Sequence, residues 1–140
     1  MRGKVEFRLL SEQTDWLTET LDTIYRDLSR FGRLAVLSPD EDYLNRISEA
    51  LWFNAKEHFV TYGFANEETD HQLSILLCSE IRFIKNRPAL VNLNYLLDEK
   101  DLSFRHVSEI VFADPEMVDK ARRQYKMYRI SGYQIDHIKL

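Results

Sequence analysis

The stretches QLSILLC (residues 72–78) and ALVNLN (residues 89–94) decide how this chain is expected to fold. Both are nearly continuous apolar runs, without the alternation of apolar and polar side chains that marks a strand with one face in water. Continuous runs of this kind are typical of strands that are covered on both faces, as in a parallel sheet. They therefore predict two buried central strands.

Further strands and helices alternate on either side of these runs. Strands are predicted at four more stretches: VEFRLL (5–10), RLAVLS (33–38), HFVTYGF (58–64) and SEIVFA (108–113). Apolar residues three or four apart predict helices between them, as at 17–31, where Gly32 supplies a left-handed cap. Because strands that alternate with helices form layered α/β domains, residues 1–140 are predicted to form a single three-layer α/β/α domain with a mainly parallel sheet.

Two helix starts carry specific signals. In SPDE (38–41) the serine is predicted to be the N-cap and the proline the first helical residue. In DPE (114–116) the aspartate is predicted to cap the last helix, and Gly132 is predicted to end it.

The composition excludes several classes of protein. The single cysteine, Cys78, cannot support a disulfide framework, and no Cys/His spacing resembles a zinc site, so no metal or other cofactor is expected. The predicted parallel α/β sheet is of a type found in nucleotide-binding proteins. The four glycines, however, build neither a G-x-G-x-x-G turn nor a G-x-x-x-x-G-K-[ST] loop, so the fold is predicted to lack a phosphate loop. MRGKVEFRLL lacks the apolar segment of a secretory signal, and no apolar run approaches the roughly 18 residues of a membrane span. The expected location is the cytoplasm.

Charge is distributed unevenly along the chain. From Met117 to the end there are six Lys/Arg against two Asp, a balance of +4, whereas the residues before it hold 13 Lys/Arg and 21 Asp/Glu, a balance of −8. A globally acidic protein is a poor general binder of duplex DNA, because that binding neutralises many phosphates. A local positive end on an acidic body instead favours a small acidic partner.

The predicted last helix combines these cations with aromatic residues. At 3.6 residues per turn, one stripe holds Val118, Ala121, Tyr125 and Tyr128, and its flank holds Arg122, Lys126 and Arg129. Such an edge suits a ligand that is both anionic and apolar, since arginine matches the geometry of a carboxylate. The alternative is a solvated basic face whose apolar stripe packs on the sheet, with the cations favoured by the helix dipole.

The stretch ARRQYKMYRISGYQI (121–135) resembles the carboxyl-terminal signature of the chi subunit of bacterial DNA polymerase III. In that signature a basic helix with a Y-[KR]-x-Y-[KR] core runs into a Gly-aromatic turn. Three other stretches are similar in order and place: VEFRLL (5–10), ISEALWFNAKEHFV (47–60) and LVNLN (90–94). The resemblance covers most of the chain.

The resemblance implies a non-catalytic accessory subunit of the clamp-loader complex, with no catalytic residues of its own. Members of this family bridge the psi subunit to the acidic tail of single-stranded-DNA-binding protein, which ends in a Phe with a free carboxylate, so contact with DNA is mostly indirect. Some members are thought to serve a repair helicase as well. By resemblance, the tail site comprises Val111, Arg122, Tyr125, Lys126, Arg129 and the backbone near Gly132, with Arg122 at the carboxylate. The psi surface comprises Trp52 and Phe59.

Two other functions have some support in the sequence. Pro39-Asp40 and Asp98-Glu99-Lys100 resemble the PD…(D/E)xK arrangement of metal-dependent nucleases, although a helix start and a polar loop also explain them. Direct binding of single-stranded nucleic acid, with the tyrosines stacked on bases, is disfavoured by the acidic body. Trp52 and Phe53 are adjacent, so only one of them is expected to face the core and the other to form an exposed aromatic patch. The alternative is that both are partly buried under a loop.

Overall fold

The computed structural model describes residues 2–58, 60–65 and 72–140, and of residues 55–58 it describes the backbone only. The strands are β1 (Lys4–Leu9), β2 (Leu34–Leu37), β3 (Tyr62–Phe64), β4 (Ile75–Cys78), β5 (Ala89–Asn92), β6 (His106–Val111) and β7 (Gln134–Lys139). The α-helices are α1 (Trp16–Phe31), α2 (Glu41–His58) and α3 (Pro115–Ile130), and short 3-10 helices lie at Ile81–Phe83 and Glu99–Asp101. In this part of the chain, no helix is both long and apolar enough to cross a membrane.

The strands form one parallel sheet in the order β3-β4-β2-β5-β6-β1-β7. Strands β4 and β5 are buried along their whole length, which confirms the prediction from the two apolar runs, and β2, from the stretch 33–38, is buried in the same way. Strand β7 was not predicted from the sequence. It lies at the sheet edge beside β1 and is partly exposed, so its sequence QIDHIK lacks a continuous apolar run.

The two faces of the sheet are covered differently. Helices α1 and α2 pack on one face, where Ile24 and Leu44 join the buried side chains of β2 and β4. Helix α3 packs on the other face, where Tyr128 contacts Phe7, and an irregular segment that contains Leu97 covers the remainder. The predicted three-layer α/β/α architecture with a mainly parallel sheet is confirmed.

Most helix ends follow the predicted caps. The Asp114 carboxylate accepts the backbone N–H of Glu116 at 2.8 Å, so Asp114 is the N-cap of α3. Gly32 and Gly132 have φ of +80° and +85°, the left-handed region that glycine adopts without strain.

The predicted start of the second helix is wrong by two residues. Helix α2 begins at Glu41, and the Asp40 carboxylate accepts the N–H of Asp42 at 2.9 Å, so the cap is Asp40 rather than Ser38. The Ser38 hydroxyl accepts the N–H of Asp40 and shapes the turn before the helix. Both residues are good capping residues, and the sequence pattern does not distinguish between them.

The predicted strand at 58–64 is also shorter in the structure. His58 is still in α2, and the strand occupies Tyr62–Phe64. Phe59, between them, lies outside the described residues.

Candidate functional site

An open cavity of about 640 Å³ lies between α3 and the carboxyl ends of β1 and β6. From the helix it is lined by Val118, Ala121, Arg122, Tyr125 and Lys126, and from the sheet by Phe7, Leu9, Val111 and His137. Its floor is therefore apolar and aromatic, while its helical rim is cationic.

The structure brings four of the predicted tail-site residues together at this cavity: Val111, Arg122, Tyr125 and Lys126. Arg129 is exposed near the end of α3 and does not line the cavity. Gly132 lies beyond the helix, where its carbonyl accepts the backbone N–H of Arg2 at 3.3 Å. The predicted set is thus divided between the cavity, the last turn of α3 and the turn that follows the helix.

The cations at the rim differ in their pairing. Arg123 lies 3.8 Å from the carboxylate of Asp119, one helical turn before it, and both line the cavity. Arg122 and Lys126 are exposed and form no ion pair with the residues that the structure describes. Their charges are therefore available to an anionic ligand.

Three rings lie close together at the aromatic side of the cavity. The His137 ring centroid is 5.5 Å from that of Phe7 and 5.6 Å from that of Tyr125, and the Phe7 and Tyr125 centroids are 6.2 Å apart. Phe7 and His137 are register partners on β1 and β7, so they lie side by side on one face of the sheet. Sequence reasoning missed both residues, because β7 had to be placed before this neighbour relation could be seen.

Tyr128 belongs to the core rather than to the cavity. It is fully buried, and its hydroxyl donates to the Glu109 carboxylate at 2.6 Å. The Asn92 amide donates to both oxygens of the same carboxylate, at 3.1 and 3.0 Å. Burial raises the pKa of Glu109 to about 7, although the hydrogen bonds from Tyr128 and Asn92 oppose the shift. The contact attaches α3 to β5 and β6.

A second, apolar surface lies on α2. Trp52 and Phe53 are 71% and 83% exposed, so the expectation that one of them faces the core is wrong. With Tyr62 they border a shallow cavity of about 290 Å³. Exposed aromatic residues in a contiguous patch are typical of protein interfaces. Phe59, the other residue predicted for this surface, lies outside the described residues.

The residues of the nuclease hypothesis have local structural roles. Asp40 caps α2, and the backbone N–H of Asp98 donates to the carboxylate of Asp101 at 2.9 Å. The cavity beside Asp40 is not lined by Asp98, Glu99 or Lys100. In the described residues, no group of three or more His, Cys, Asp or Glu side chains could hold a metal ion.

The sequence model of a family described as "DNA polymerase III chi subunit, HolC" matches residues 3–136. The chain belongs to this family. The chi subunit of DNA polymerase III from Haemophilus influenzae is 24% identical over 138 residues, covering 96% of each chain. The chi subunit from Escherichia coli strain K12 is 26% identical over 105 residues, covering 74% of this chain and 71% of that protein.

The fold is also similar to that of a solved domain from another protein. The carboxyl-terminal domain of the DEAD-box protein Dbp5 superposes with a TM-score of 0.60 at 11% identity, covering 99% of this chain and 91% of that one. At this identity the likeness shows the fold alone. It agrees with the predicted layered α/β architecture.

Proposed function

We propose that this chi-family protein is a non-catalytic accessory subunit of DNA polymerase III that binds the acidic tail of single-stranded-DNA-binding protein and, through psi, the clamp loader. The observation that carries the proposal is the cavity beside α3, with unpaired cations at its rim and an aromatic floor. A peptide that ends in acids and a carboxyl-terminal Phe offers the complementary chemistry: a ring for the floor and a carboxylate for Arg122.

The psi part of the proposal rests on the exposed patch of Trp52, Phe53 and Tyr62. This patch lies on α2 and β3, whereas the cavity is lined by residues of α3, β1, β6 and β7. A subunit that links two partners needs two separate surfaces, and this arrangement provides them.

A binding experiment with the purified full chain tests the tail site. A labelled peptide that ends in several acids and Phe should bind with micromolar affinity, and the same peptide with an amidated end should bind at least about tenfold more weakly, because a charge-assisted pair contributes roughly 1.5–3 kcal/mol. A labelled single-stranded oligonucleotide is the control ligand. Equal binding of the free-acid and amidated peptides would overturn the proposed carboxylate contact, and salt-dependent binding of the oligonucleotide alone would favour the direct nucleic-acid function.

Trp52→Ala should weaken binding of a psi subunit by about tenfold while leaving tail binding unchanged, because large exposed aromatic residues often dominate interface energies. Co-purification after co-expression with psi measures the first effect, and the peptide assay measures the second. Leu96→Ala removes a half-exposed apolar side chain outside the patch and is the control. If Trp52→Ala reduces both activities equally, the residue supports the fold and the assigned surface is wrong.

A further inference from the structure

His137 lies at the junction of the sheet and the proposed tail site. It lines the cavity from β7, stacks on Phe7 with an angle of 18° between the rings, and faces Tyr125 of α3 at 33°. Phe7 is almost completely buried, whereas His137 is exposed. Of these three rings, His137 therefore offers the most surface to a ligand.

The His137 ring adds a polar group to an otherwise apolar wall. Among the described residues, neither of its ring nitrogens has a hydrogen-bond partner. An imidazole ring has at least one N–H donor whichever tautomer is present. The charged groups that face the same cavity are all on α3: Asp119, Arg122, Arg123 and Lys126. Across the cavity from them, the sheet contributes apolar side chains apart from His137.

We propose that His137 is a specificity-determining residue of this cavity. Its ring, with Phe7 and Tyr125, forms a wall that favours an aromatic side chain at the carboxyl end of the peptide. Its free N–H donates to the terminal carboxylate from the sheet side of the cavity, across from Arg122 on α3. This inference rests on the proposed tail-binding function, because it concerns the selectivity of that same site.

The two contributions can be separated by two substitutions. His137→Phe keeps a ring and removes the donor, whereas His137→Gln keeps a donor and removes the ring. Affinities of the full chain are measured for peptides that end in Phe or Leu, each as free acid and as amide. In His137→Phe, the ratio of affinities for the Phe and Leu peptides should stay as in wild type. The ratio of affinities for the free acid and the amide should fall by about three- to tenfold. In His137→Gln, the ratio of affinities for the free acid and the amide should stay as in wild type, and the ratio for the Phe and Leu peptides should fall by about three- to tenfold.

Gln134→Ala is the control: Gln134 is an exposed residue of β7 outside the cavity, and the substitution leaves the net charge unchanged. It should alter neither the preference for Phe over Leu nor the preference for the free acid over the amide. In NMR spectra, the ring protons of His137 should shift when the Phe peptide is added. If the wild-type chain binds the peptide and both preferences survive in both His137 variants, the inference is wrong and the proposed function stands. If the wild-type chain binds no such peptide, the proposed function fails and this inference fails with it.

Discussion

Replacing Arg122 by alanine should weaken binding of a peptide that ends in acids and a free Phe carboxylate by about ten- to hundredfold. Arg122 lines the cavity, is exposed, and forms no ion pair with another described residue, so its guanidinium can pair with the ligand without first losing an internal partner. A charge-assisted hydrogen bond of roughly 1.5–3 kcal/mol accounts for a loss of this size. Titration of the labelled peptide against each purified variant measures it.

A thermodynamic cycle shows whether the lost interaction is the carboxylate contact. Amidating the peptide removes the same charge from the other partner, so amidation should cost the Arg122→Ala variant much less than it costs the wild-type chain. Lys120→Ala, which removes a cation from α3 outside the cavity, is the matched control and should have a small effect. Lys126→Ala should have an intermediate effect that is largest at low salt, as for a flexible, screened charge. If amidation costs wild type and Arg122→Ala equally, Arg122 does not contact the carboxylate.

The sequence was most informative about the interior of the fold. Continuous apolar runs identified β2, β4 and β5 because a strand covered on both faces must be apolar on both faces. The edge strand β7 has no such requirement, and its mixed sequence did not predict a strand. The start of α2 was misplaced for a different reason: Ser38 and Asp40 are both suitable caps, and in the structure it is Asp40 that accepts the N–H of Asp42.

The candidate site was predictable where its residues share one helix. The spacing of Arg122, Tyr125 and Lys126 follows from the helical repeat, and the structure places all three at the cavity. The opposite wall depends on sheet register, which brings His137 beside Phe7 across a long stretch of sequence. The helical stripe also contains Tyr128, which the structure places in the core rather than at the cavity. A wheel cannot show that a buried carboxylate on β6, Glu109, is the actual partner of its hydroxyl.

That buried carboxylate gives the second large effect, a dependence of stability on pH. The pKa of Glu109 is raised from 4.5 to about 7 in the folded protein, so between these values the folded chain binds more protons than the unfolded chain. The free energy of unfolding should therefore decrease as pH rises from about 4.5 to 7, by about 3 kcal/mol from this residue. His106 acts in the opposite direction, because burial lowers its pKa and makes the unfolded chain the better proton binder below pH 6.5. The profile of the wild-type chain alone mixes the two contributions.

A difference profile separates them. The unfolding free energy of wild type minus that of Glu109→Gln, from urea titrations between pH 4 and 8, should fall by about 3 kcal/mol with rising pH, since the variant keeps His106 and removes the buried titrating group.

Tyr128→Phe should destabilise the protein more above pH 7 than below pH 4.5, because above pH 7 the Tyr128 hydroxyl of the wild-type chain donates to an ionised carboxylate. Tyr133→Phe removes a buried hydroxyl that donates to the backbone carbonyl of Phe104 at 2.7 Å, so its cost should be the same throughout this range. Parallel profiles for wild type and Glu109→Gln would show that Glu109 titrates alike in the folded and unfolded chains. The hydrogen bond that joins α3 to β6 would then carry no pH dependence.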